Sequence, residues 1–111
     1  MDQLFSALAD PTRRAVVQML AEKKQASVSE LHAPHDMALP SFTQHLKVLE
    51  SAGLISTRKK GRVRMVNIEA QQLTKAQKWL ERQRKVWEAR FDRLDALVTS
   101  LEQSENREQK S

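Results

Sequence analysis

A chain of 111 residues, 40% hydrophobic and 30% charged, is long enough for one ordinary domain and too short for two of similar size. It contains no cysteine, which excludes disulfides, thiolate zinc sites and cysteine nucleophiles. The formal net charge of +5 is uneven: residues 1 to 40 hold four Lys/Arg against five Asp/Glu, residues 41 to 68 hold six against one, and residues 69 to 111 hold nine against eight. A basic excess confined to the middle suits a polyanionic partner, and a merely solvated face is the plain alternative. The opening Met1-Asp2-Gln3-Leu4 lacks the basic and apolar stretches of a signal peptide, and every apolar run is short. A soluble, cytoplasmic protein with no membrane partner is therefore expected.

Leu4, Phe5 and Leu8 share one helical face, and Asp10-Pro11 ends that first short helix, because the residue before a proline is pushed out of the helical region. The same pair opens a second helix over about 11 to 22: Asp10 accepts from free amides while Pro11 presets φ in the first turn. Ala15, Val16, Met19 and Leu20 form its buried stripe. The polar stretch 22 to 26 has no apolar periodicity and reads as a connection. Ser27 with Glu30 three residues on makes a capping box for a third, brief helix ending near Ala33. After the turn Pro34-His35-Asp36, Leu39, Phe42, Leu46 and Leu49 recur at i, i+3, i+7 and i+10, which predicts a fourth helix over about 39 to 52. Ala38 stands where a capping Ser or Thr is favoured, so the first turn is less secure.

Gly53 is placed to end that helix in a left-handed residue. Strand character follows over 54 to 58 and 63 to 68, around Lys59-Lys60-Gly61-Arg62, predicting a two-stranded hairpin whose tip Gly61 makes possible. From about 74 to 103 there is neither proline nor glycine, and Leu73, Leu80, Trp87, Leu94 and Leu101 recur every seven residues with Phe91 and Val98 alongside. That is one long helix of roughly 45 Å, longer than so small a domain can cover with its own core. The expected organisation is a single domain over 1 to 103 and a polar, disordered tail over 104 to 111.

Three short helices followed by a basic hairpin make the arrangement of a winged helix-turn-helix, in which the last helix of the trio enters the major groove. The fold class is thus mainly α with a small β-hairpin, closed by a long C-terminal dimerisation helix. On a wheel with Phe42 at zero, Ser41, Gln44 and Lys47 lie on the far side, Thr43 lies at the flank and His45 beside the apolar stripe. Gln pairs with adenine, Ser with either strand, and Lys with guanine or phosphate. For His45, packing or capping competes with phosphate contact. Arg58, Lys59, Lys60, Arg62 and Arg64, five cations in seven residues, are the candidates for backbone contact from the wing.

The run Leu4-Phe5-Ser6-Ala7-Leu8-Ala9-Asp10-Pro11-Thr12-Arg13 resembles the arsenic-repressor (ArsR) family at its entry into the second helix. Residues 41 to 55, with His45-Leu46-Lys47-Val48-Leu49-Glu50 running into Ala52-Gly53-Leu54, resemble that family's recognition helix and its exit into the wing. Trp79 and Trp87, with residues 88 to 94, resemble a branch of the family that includes autorepressors. The resemblance implies a homodimeric repressor that binds an inverted-repeat operator in double-stranded DNA. The dimer interface would use Leu4, Phe5, Leu80, Trp87, Phe91, Leu94, Val98 and Leu101.

Metal-sensing members of the family bind through cysteines near the third helix or through Asp, Glu and His pairs on the last. Neither set occurs here, and His32 with His35 reads as a surface pair, so no metal and no cofactor are expected. No nucleophile motif or Gly-rich phosphate loop is present, which argues against an enzyme. The alternative from another class is a winged-helix adaptor that binds a protein partner without specific DNA binding. No effector can be assigned from these residues.

Overall fold

The computed structural model describes residues 1 to 110, with side chains through Asn106. Five helices and three strands follow in the order α1 (Asp2–Leu8), α2 (Pro11–Lys23), β1 (Gln25–Ser27), α3 (Val28–His32), α4 (Leu39–Ser51), β2 (Ile55–Lys60), β3 (Val63–Ile68) and α5 (Ala70–Lys110). The chain divides into two compact units, Met1–Ala76 and Gln77–Ser111.

The first unit is built on one core. Leu4 and Ala7 of α1, Val16 and Leu20 of α2, Leu31 of α3 and Phe42, Leu46 and Leu49 of α4 are all buried, and they meet Ile55 and Val66 of the sheet. Local signals set the element ends. The Asp10 carboxylate accepts from the Arg13 amide at 3.0 Å with Pro11 in the first turn of α2. Ser27 and Glu30 form the reciprocal capping box at α3. Gly53, at φ +75°, ends α4: its amide donates to Glu50 O and that of Leu54 to Leu49 O, so both orphan carbonyls are satisfied. A Cβ at this glycine would also lie 3.1 Å from Gln72 Cγ.

The sheet differs from the sequence reading. It has three antiparallel strands in the order β1-β3-β2, because residues 25 to 27 pair with β3 in the register Gln25↔Asn67, Ala26↔Val66 and Ser27↔Met65. Three residues carry too little periodicity to announce a strand, and the reversal into it uses Lys24 at φ +70° rather than a glycine, leaving no stop signal. Ile68 holds that reversal through its amide, which donates to Lys24 O. The hairpin itself is longer than expected: pairing continues to Lys60↔Val63, so a two-residue turn, Gly61-Arg62, forms its tip.

One expected placement is also corrected, and one apolar residue of α4 stands apart from its neighbours. Leu39 does not join the buried stripe of α4 but is 49% exposed. Leu4, read as a dimer contact, is 2% exposed and belongs to the chain's own core, while Phe5 beside it lies at the surface. Helical spacing tells which face a residue shares, and the neighbouring elements decide whether that face is covered.

The second unit is helical throughout its described part. Here α5 carries an apolar stripe, Leu80, Trp87, Phe91, Leu94, Val98 and Leu101, each 51–57% exposed, widened on one side by Val86 and Leu97. Trp87 and Phe91 lie one turn apart with ring centroids at 6.0 Å, and the Arg90 guanidinium sits 5.4 Å from the Trp87 centroid. Arg84, seven residues before Phe91 and so in the same row of the helix, pairs with Glu81 and Glu88. The helix begins four residues before the expected start and reaches Lys110, past the boundary at 103; Ser111, the end of the expected tail, lies outside the described residues. Among the described residues no helix is long and apolar enough to cross a membrane.

Candidate nucleic-acid interface

The third and fourth helices, joined by residues 33 to 38, form the helix-turn-helix. Phe42, fully buried, anchors it: the rings of His32 and His35 pack on it at 5.2 and 5.5 Å, and His32 Nε2 donates to Met37 O at 2.7 Å. Both histidines are partly exposed, and each packs a ring face against Phe42. Among the described residues no cluster of three or more His, Cys, Asp or Glu side chains could hold a metal ion.

With Phe42, Leu46 and Leu49 turned inward, α4 presents Ser41, Gln44 and Lys47 to the surface, and Thr43 and His45 lie at the flanks. His45 is committed within the chain. Arg13 donates from Nη1 to His45 Nδ1 at 3.2 Å, and because a guanidinium can only donate, Nδ1 is the acceptor and the ring proton resides on Nε2. The Asp10 carboxylate stands 3.7 Å from the same nitrogen. Arg13 also donates to Ala7 O at 2.7 Å and Ser6 O at 3.2 Å, satisfying carbonyls at the end of α1. One side chain thus ties α1, α2 and α4 together. The Arg13 amide donating to Asp10 holds that carboxyl below the usual carboxylate range; desolvation opposes the shift, and the Arg13 guanidinium and the Thr12 amide assist it.

The wing follows from register. Directly paired residues point to the same face of a sheet, so Thr57 and Val66, then Lys59 and Arg64, extend one face, while Arg58, Lys60 and Val63 lie on the other. Val66 is buried on the first face, and Arg64 donates to Thr57 Oγ1 at 3.2 Å along it. Arg58, Lys59, Lys60, Arg62 and Arg64 are all exposed. No acidic residue occurs between Glu50 and Glu69, and among the described residues no wing cation has an acidic partner. Like charges opposed across a ladder destabilise it, so the Lys59–Arg64 pair is suited to a surface that meets anions. Between α4 and this face runs a groove of about 430 Å³, lined by Val28, Leu39, Thr43, Leu46, Lys47, Glu50, Thr57 and Arg64.

The outward side chains of α4 and the cations of the wing were legible in the sequence, and the role of Arg13 was not. The signal for Arg13 was present, in the Asp-Pro-Thr-Arg run, but its partner lies 32 residues away on another helix.

A helix-turn-helix domain model matches residues 8–58. The arsenical resistance operon repressor of Escherichia coli is 38% identical over 60 residues, which cover 54% of this chain and 51% of that protein, so the chain spans about half the length of that relative. A homodimeric winged helix-turn-helix DNA-binding domain from Mycobacterium bovis, solved in solution, is 25% identical with a TM-score of 0.55, covering 60% of this chain and 61% of that one. The crystal structure of an ArsR family transcriptional regulator is similar at 50% identity and a TM-score of 0.73, over 78% of this chain and 89% of its own. With the order of its elements, its basic wing and that identity over nearly the whole of a solved member, the chain belongs to the ArsR family of winged helix-turn-helix transcriptional regulators.

Proposed function

We propose that two copies of this chain pair through the apolar stripe of α5 and bind an inverted repeat in duplex DNA, repressing transcription by occupying the operator. In this reading α4 enters the major groove in each half-site, with Ser41, Thr43, Gln44 and Lys47 toward the bases, and Arg58, Lys59, Lys60, Arg62 and Arg64 grip the neighbouring backbone. The observation that carries it is the wing: five exposed cations without one acidic partner, two of them paired directly across the ladder, beside the polar face of α4. His45 serves by positioning α4 through Arg13 and Asp10 rather than by gripping phosphate. The dimer is supported by an exposed apolar stripe that a lone chain leaves in water and by the homodimeric relative. Repression is supported by the name of the E. coli relative. The resemblance at Trp79 and Trp87 supports the autorepressor-like branch, and the absence of cysteine is in keeping with a member that acts without metal.

Selection from randomised duplexes, followed by anisotropy across a salt series, tests the reading. Enrichment of an inverted repeat, with affinity falling linearly in log salt, is the expected result. Failure to enrich any sequence, with weak and salt-insensitive binding, overturns it in favour of a protein-binding adaptor.

A further inference from the structure

The leading edge of α4 is apolar. Ala38, Leu39 and Pro40 lie together at its start, and the position where a Ser or Thr hydroxyl normally satisfies a free amide is held by Ala38, whose side chain makes no capping bond. Leu39 is the anomaly. The other apolar residues of its stripe, Phe42, Leu46 and Leu49, are 0–4% exposed, whereas Leu39, at the start of that stripe, is 49% exposed. A single exposed leucine is ordinary on a protein surface. This one stands in the first turn of the helix that reads DNA, the turn whose side chains reach base edges in this architecture.

Leu39, Thr43 and Lys47 follow one another at i, i+4 and i+8, so they form one line along the helix, and all three edge the groove shared with Arg64 of the wing. A duplex lying on that line meets an apolar group first, then a hydroxyl and methyl, then cations. The floor of the major groove offers donors, acceptors and one apolar group, the C5 methyl of thymine. We propose that Leu39 contacts a thymine methyl in each half-site and so selects T at one operator position. Continuity with the polar reading face of α4, and the cations Lys47 and Arg64 that edge a groove otherwise lined largely by Val28, Leu39 and Leu46, favour DNA as the occupant. The inference rests on the DNA-binding reading above and adds a specificity-determining residue to it.

Deoxyuridine removes the methyl and nothing else. Each thymine of the selected operator is replaced singly by uracil, in both half-sites, and affinity is measured by anisotropy for the wild type and for Leu39→Ala, with thermal melts of the variant to confirm folding. One substitution should weaken the wild type about fourfold per half-site, or about fifteenfold for both, the size expected for one buried methyl. Leu39→Ala should bind the thymine operator correspondingly weaker and show no difference between thymine and uracil at that position. Sequence-specific binding in which no uracil substitution loses its effect in Leu39→Ala overturns the inference and leaves the DNA-binding reading standing. Absence of any preferred duplex overturns both.

Discussion

Replacing Trp87 with Ala tests the proposed dimer where its energy should be concentrated. Trp87 is 54% exposed, so of the roughly 250 Å² a tryptophan can bury, roughly 130 Å² remains in water on the single chain. Covering that area would contribute ~3 kcal/mol per chain at ~25 cal/mol per Å², and twofold symmetry counts it twice. If a partner covers half of it, Trp87→Ala loses ~3 kcal/mol per dimer, which raises the dissociation constant about a hundredfold. Sedimentation equilibrium over a concentration series reads this directly. Lys85→Ala, about 160° around the helix from Trp87, is the control and should leave association unchanged. Residues 1 to 76 carry their own core, so the helical signal of the monomeric variant should persist. A dimer constant unchanged by Trp87→Ala, or a wild type that is monomeric at micromolar concentration, refutes the reasoning.

Asp10→Ala removes the cap of α2 and should destabilise the fold by about 1 kcal/mol at neutral pH, measured by urea denaturation. Because the carboxyl of Asp10 is held below its unfolded value of about 3.9, its contribution is present above that pH and is lost as pH falls through the folded value; the gap between wild type and variant should therefore close in acid, and a gap constant down to strong acid contradicts the assignment. Gln44→Ala should cost about 1 to 3 kcal/mol on the preferred operator and little on scrambled duplex, whereas Lys60→Ala or Arg62→Ala should weaken both alike and lower the salt slope by about one for each phosphate that a chain ceases to neutralise. A salt slope untouched by the wing variants would make the basic hairpin merely solvated. Zinc, cadmium, nickel or arsenite titrated into the protein–operator complex should leave it intact, and dissociation at stoichiometric metal would direct attention to His32 and His35.

What the sequence by itself determined is local. The Asp10-Pro11 start of α2, the Ser27–Glu30 capping box, the left-handed Gly53 and the glycine at the hairpin tip each act over three to five residues, a span within which chain geometry leaves few alternatives. The outward direction of Ser41, Gln44 and Lys47 is equally local, because the helical repeat sets it once Phe42, Leu46 and Leu49 turn inward. Tertiary structure decided the rest. The first strand exists only because β3 offers Asn67, Val66 and Met65 to pair with Gln25, Ala26 and Ser27, some forty residues apart in the chain. Arg13 reaches His45 across 32 residues, and the His32 and His35 rings find Phe42 only when the turn folds back on α4. Leu4 and Leu39 both fit a helical apolar stripe, yet one is buried and the other half exposed. Periodicity assigns a side chain to a face; burial depends on whether another element, brought there by the whole fold, arrives to cover it.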